Sequence, residues 1–244
     1  MQDCIMNNIP SRSAHTRLII ALDCHNYDAA ELLITRLGQS VETYKIGLEL
    51  LMSGEFFKVV ELLHELGKEI FADIKFFDVP ATVARAVRRL SQWGITFASV
   101  HGNQTMMEAA NQEKGNMRIL AVTALTSLDQ GDLEDLGFTC TIREIVISRA
   151  RRAIEAGLDG VVASGHEIKE LRETLGTRFL IVTPGIRPIS NTAEDDQKRV
   201  ISAREALEAG ADYLVVGRPV RDALDPPQAA QALQKEITEY FARV

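Results

Sequence analysis

The chain is poor in cysteine and has no long apolar run, and each absence excludes something. Only three of its 244 residues are cysteines. Cys4, Cys24 and Cys140 are odd in number, far apart and without a CxxC pair. This excludes a disulfide framework and a cysteine-rich zinc site, and it fits reduced thiols in a cytoplasmic protein. No stretch approaches the ~20 apolar residues that span a bilayer, so no membrane insertion is expected. Positive charge is also in short supply: 27 Lys and Arg against 34 Asp and Glu leave a net charge of -7. General nucleic-acid or anionic-membrane binding needs a basic surface, so neither partner is expected. The opening MQDCIMNNIPSRSAHT lacks the basic start and apolar core of a signal peptide, and residues 1–16 read as a flexible tail. No Pro/Gly/Ser-rich linker divides the rest, so residues 17–244 read as one domain. The dinucleotide fingerprint GxGxxG and the P-loop GxxxxGKS/T are missing as well.

What is present is an alternation. With 46% hydrophobic and 25% charged residues the chain can bury a sizeable core. Eight short β-branched runs recur: RLIIALD from Arg17, TYKIGLEL from Thr43, EIFADIKF from Glu69, FASVHG from Phe97, RILAVTAL from Arg118, GVVASG from Gly160, FLIVTPGI from Phe179 and YLVVGR from Tyr213. Amphipathic stretches such as EFFKVVELLHELG and TIREIVISRARRAIEAG lie between them, with apolar residues three and four apart. Gly67, Gly94, Gly157 and Gly210 stand where helices should end, because glycine tolerates the left-handed C′ position. RRAIEAGLDGVVASG and REALEAGADYLVVGR look like two copies of one helix-turn-strand unit. Alternating β and α imply a parallel sheet with helices outside. Eight strands without a dinucleotide fingerprint predict an α/β fold, a single (β/α)8 TIM barrel, whose active site lies at the C-terminal ends of the strands.

Polar residues fall at those ends. Asp23 closes the first run, Lys45 sits in the second, Asp73 and Lys75 in the third, and His101 closes the fourth. Thr126 follows the fifth, Arg187 the seventh, and Gly217 and Arg218 close the eighth. Side chains alternate along a strand, so Asp73 and Lys75 share the lumen face while Ala72, Ile74 and Phe76 point away. Asp-x-Lys alone is what a structural ion pair would supply. Buried pairs are poor stabilisers, so adding Lys45 and Asp78 favours a field stored for a reaction. Arg187 and Arg218 occupy the two loops where such barrels hold phosphate, and arginine offers planar bidentate donors. Gly217 lets backbone N–H groups come close to such a phosphate. The polar loop Pro184–Val200 reads as a lid carrying Arg187 and Gln197; two surface arginines in mobile loops are the plainer alternative.

The signature DIKFFDVPATV, Asp73 to Val83, resembles that of the orotidine 5'-phosphate decarboxylase family, bacterial type. ALD at Ala21–Asp23, YKIGLEL at Tyr44–Leu50, LTS at Leu125–Ser127, TPGIRP at Thr183–Pro188, DDQKR at Asp195–Arg199 and VVGRP at Val215–Pro219 follow in family order. HGNQTMM, starting at His101, departs from it, since bacterial relatives often carry a glycine pair after that histidine. The resemblance implies decarboxylation of orotidine 5'-monophosphate to uridine 5'-monophosphate and CO2, the last step of de novo UMP biosynthesis, with no cofactor and no metal. It assigns Asp73 to the substrate carboxylate, Lys75 to proton delivery, and Lys45 and Asp78 to holding them. It gives Asp23 and Lys45 to the ribose, Thr126 to the pyrimidine, and Gln197, Arg187 and Arg218 to the phosphate. Asp78 and Thr82 would enter the site of a partner subunit, which implies a homodimer. Two other readings remain at this point: a Mg²⁺-dependent sugar-phosphate decarboxylase or aldolase of the same superfamily, and a non-catalytic nucleotide-binding barrel.

Overall fold

The computed structural model describes residues 17–187 and 200–242, so the expected tail at 1–16 lies outside the described residues. All eight apolar runs form strands: β1 Leu18–Leu22, β2 Thr43–Gly47, β3 Glu69–Phe76, β4 Phe97–His101, β5 Arg118–Val122, β6 Gly160–Val162, β7 Leu180–Thr183 and β8 Tyr213–Val216. Each pairs in parallel with the next, and β8 returns to β1 through Leu18↔Leu214, Ile19↔Val215 and Ile20↔Val216. The result is the closed eight-stranded barrel expected from the alternation.

Two apolar layers follow from the two faces of each strand. Outward residues such as Ile20, Tyr44, Ile70, Ala98 and Ile181 join the inner faces of the helices in the larger core. Inward residues form a second cluster that plugs the barrel, with Phe71, Phe97 and Tyr213 at its centre. Phe97 stands edge-on to both aromatic neighbours, with ring centroids 6.1 Å from Phe71 and 5.2 Å from Tyr213. Each such buried ring contributes about 2–3 kcal/mol through burial alone. The lumen is therefore solid below the third-strand aspartate, and any cavity must open above it.

Local signals place the helices. Pro80 opens the helix Pro80–Ser91, where its missing N–H costs nothing. Thr141 and Ser202 close capping boxes with Glu144 and Glu205 at the starts of Ile142–Glu155 and Ala203–Ala209. The four helix-ending glycines all take positive φ, from 64° at Gly94 to 107° at Gly210. The two repeated phrases prove to be one device. In each, an aspartate two residues past the glycine accepts a backbone N–H of the preceding strand, Asp159 from Ile119 at 2.9 Å and Asp212 from Ile181 at 2.8 Å. Each carboxylate also holds a cation, Lys114 at 2.7 Å and Arg172 at 2.6 Å. These pairs brace the N-terminal rim of the barrel and leave the opposite rim to other work. Among the described residues, no helix is long and apolar enough to cross a membrane.

Candidate active site

The C-terminal rim carries a row of alternating charge. Asp23, one residue past β1, accepts from the Lys45 ammonium at 2.9 Å. Lys45 also lies 3.7 Å from Asp73, and Asp73 accepts from Lys75 at 2.8 Å. The order in space is Asp23, Lys45, Asp73, Lys75. Lys45 and Asp73 are nearly buried, whereas Lys75 is about a third exposed at the mouth. Burial works hardest against the Asp73 carboxylate. The ammoniums of Lys45 and Lys75 and the hydrogen bonds from Lys75 and Ser99 outweigh it and hold the carboxyl below its ordinary value. Burial likewise opposes the Lys45 ammonium, and Asp73 and Asp23 overcome it and raise its pKa. Both groups are thus fixed in their charged forms through the neutral range.

A cavity of about 530 Å³ opens over this row, within the size range of small-molecule sites. Asp23, Lys45, Asp73 and Lys75 line it, together with Thr126, Arg187, Gly217 and Arg218. Eight residues expected from the sequence therefore meet in one place. A side chain on Gly217 would stand 3.6 Å from the Asp23 carboxylate, inside this space. Two expected residues stay out. Asp78 is exposed beyond β3 and accepts its own chain's Val79 N–H at 2.6 Å. Thr82, one turn into the following helix, accepts from Arg85 at 3.2 Å. Neither lines the cavity of its own chain. Gln197 and most of the expected lid lie outside the described residues. The feet of that loop are described: Arg187 N–H donates to Ile201 O at 2.9 Å, and Ile201 N–H to Gly185 O at 3.2 Å.

Some residues of the site carry no signal in the sequence. Ser99 on β4, fully buried, touches both Asp73 and the Lys75 backbone. Gly47 ends β2 beneath the Lys45 ammonium, where an added Cβ would stand 3.5 Å from the nitrogen. Arg221 donates to the Asp23 carbonyl at 2.8 Å and lines the cavity beside Arg218. His101 does not line it; the ring lies against Phe77 with centroids 4.8 Å apart. Burial, reinforced by Arg149, keeps the His101 pKa below its usual value.

This geometry can be set beside known proteins. The family model described as Orotidine 5'-phosphate decarboxylase / HUMPS family matches residues 16–233. The chain belongs to that family. Orotidine 5'-phosphate decarboxylase of Methylococcus capsulatus is 56% identical over 226 residues, covering 93% of this chain and 93% of that protein. The protein of the same name from Xanthomonas campestris pv. campestris is 50% identical, covering 92% and 93%. A solved structure of orotidine 5'-phosphate decarboxylase from Lactobacillus acidophilus superposes with a TM-score of 0.81 at 34% identity, over 91% of this chain and 99% of that one. The family description names HUMPS beside orotidine 5'-phosphate decarboxylase, whereas these relatives carry the decarboxylase name alone. The closed barrel and the charged row at its rim thus occur in a chain of the orotidine 5'-phosphate decarboxylase / HUMPS family.

Proposed function

We propose that this chain decarboxylates orotidine 5'-monophosphate to uridine 5'-monophosphate and CO2, the last step of de novo UMP synthesis. The observation that carries the reading is the Asp23–Lys45–Asp73–Lys75 row in a cavity also lined by Arg187 and Arg218. Loss of CO2 breaks the C6–carboxylate bond and leaves its electron pair on C6, where the pyrimidine ring disperses charge poorly. A fixed field must supply the stabilisation. The Asp73 carboxylate faces the departing carboxylate and favours its loss, while the Lys75 ammonium stabilises the developing carbanion and gives its proton to C6. Lys75 is left as a neutral amine and regains a proton from water. Asp23 and Lys45 hold the ribose hydroxyls, Thr126 the pyrimidine amide, and Gln197, Arg187 and Arg218 the phosphate, with Gly217 keeping room for it.

The row also bears on the magnesium-dependent alternative. Asp23 and Asp73 both face the Lys45 ammonium, which sits where two carboxylates would otherwise converge on a cation. The test is the fall in absorbance of orotidine 5'-monophosphate with purified protein in excess EDTA. Full turnover is expected; a protein inert toward orotidine 5'-monophosphate that turns over a sugar phosphate only with Mg²⁺ would move the chain to the sugar-phosphate branch. A non-catalytic nucleotide binder would bind UMP and turn over nothing.

We further propose a homodimer whose sites are shared. Asp78 and Thr82 lie outside the cavity of their own chain, and Asp78 is flanked by Phe77 and Val79, 69% and 64% exposed. Two large apolar side chains turned to solvent beside an active-site rim suit burial against a second copy.

The phosphate end makes its own prediction. Arg218→Ala should lower kcat/KM for orotidine 5'-monophosphate by about a hundredfold or more, since a charged hydrogen bond contributes about 1.5–3 kcal/mol and remote binding energy also organises the site. Orotidine without its phosphate should be a poor substrate whose kcat/KM changes less than threefold in the variant. Equal losses with both substrates would place Arg218 outside the phosphate contact.

A further inference from the structure

We propose that Ser99 is a positioning residue for the reaction, aligning the Asp73 carboxylate with the Lys75 ammonium through a single hydroxyl. The inference rests on the decarboxylase reading and begins with an irregularity in the sheet. β3 and β4 run in step at Phe71↔Phe97 and Ala72↔Ala98, then resume at Phe76↔Val100. Three residues of β3, numbers 73 to 75, thus face one residue of β4, Ser99. Bulges of this kind re-aim side chains and leave backbone groups without ladder partners. Here the displaced residue is Lys75, which adopts φ 55°, the only positive φ outside glycine among the described residues.

The Lys75 N–H that the bulge takes out of the ladder donates to Ser99 Oγ at 2.9 Å. A backbone N–H can only donate, so the hydroxyl is the acceptor there and its one hydrogen is left for another partner. That partner is Asp73 Oδ1, at 2.8 Å. Lys75 Nζ takes the other oxygen, Oδ2, also at 2.8 Å. Carboxylate, hydroxyl, Lys75 backbone and Lys75 ammonium form a closed circuit in which each end of Asp73 is held. Ser99 is 0% exposed, so solvent cannot stand in for the hydroxyl. Without it, the carboxylate could turn about its own axis and the Lys75 N–H would be left unpaired. The two groups that meet the scissile bond would then lose their mutual alignment, while the phosphate and ribose contacts on other strands would be untouched.

The test uses the full-length protein with two readouts, turnover of orotidine 5'-monophosphate and affinity for UMP, which lacks the departing carboxylate. Ser99→Ala should lower kcat by about 10- to 100-fold, the scale of a misaligned reacting group, with the UMP Kd within about threefold of wild type. Ser99→Thr keeps the hydroxyl and should recover kcat to within about fivefold of wild type. If Ser99→Ala does not fold, the nearly isosteric Ser99→Cys, a weak hydrogen-bonding partner, is read in the same way. An unchanged kcat, a parallel loss of kcat and UMP affinity, or a Thr variant no better than Ala would each overturn the proposal. A wild type that turns over no orotidine 5'-monophosphate removes the decarboxylase reading and this proposal with it. A wild type that is active and matched by Ser99→Ala removes this proposal alone.

Discussion

Lys75→Ala should lower kcat about ten-thousandfold or more while leaving a folded protein that still binds UMP. The expected size combines two losses: a positioned proton donor, about 10²–10⁴-fold, and a preorganised charge beside the developing carbanion, about 10²–10³-fold. These effects act on one step and do not simply multiply. The fold should survive because Asp73 is not abandoned. Lys45 remains 3.7 Å from its carboxylate and Ser99 still donates to Oδ1. A buried carboxylate stripped of every partner would be far more costly. Steady-state turnover measured alongside UMP titration decides the matter. A kcat near that of wild type would remove Lys75 from the chemistry, whatever happened to KM.

Two dead proteins should make a live one. Asp78 lies three residues past Lys75, yet its carboxylate is outside the cavity that Lys75 lines. If the partner's cavity receives it, each site combines Lys75 from one chain with Asp78 from the other. Lys75→Ala and Asp78→Ala homodimers should each be nearly inactive. In a mixed dimer both lesions fall in one site, and the second site is wild type. Random exchange of equal amounts makes half the dimers mixed, each with one good site, so about a quarter of wild-type activity should return. Subunit exchange is followed independently, for example with differently tagged chains. Exchange without recovery would mean that Asp78 acts within its own chain.

The sequence carried the barrel plainly because both of its periods are written in apolar residues. Runs such as RLIIALD and YLVVGR fit only buried strands at that spacing, and the glycines at 67, 94, 157 and 210 mark turns that need positive φ. Asp23, Lys45, Asp73 and Lys75 were legible for a related reason: charge in or beside an apolar run is conspicuous. Alternation gives the facing of Lys45 and Asp73, whereas Lys75 reaches the same cavity through a bulge that alternation does not describe. Ser99 was not. A serine in a strand reads as ordinary, and its importance depends on a bulge in the neighbouring strand that no hydrophobic pattern encodes. Gly47 was hidden in the same way, since only the folded chain brings the Lys45 ammonium over it. Asp78 shows a different limit. Residue spacing predicts only its company with Lys75, and it is the family resemblance that assigns it to a partner's lysine.

If Lys75 is the proton donor proposed above, its left-handed backbone sets the interests of the fold against those of the reaction at a single codon. For a residue with a side chain that conformation costs about 1–2 kcal/mol, and glycine would escape the cost. A search for stabilising substitutions, whether by drift or by an engineer ranking variants on melting temperature, should therefore be drawn to glycine at position 75. The substitution that relieves this backbone is one that deletes the ammonium. Whether the barrel gains from that exchange depends on the buried Asp73 carboxylate, which loses its 2.8 Å partner as the backbone relaxes.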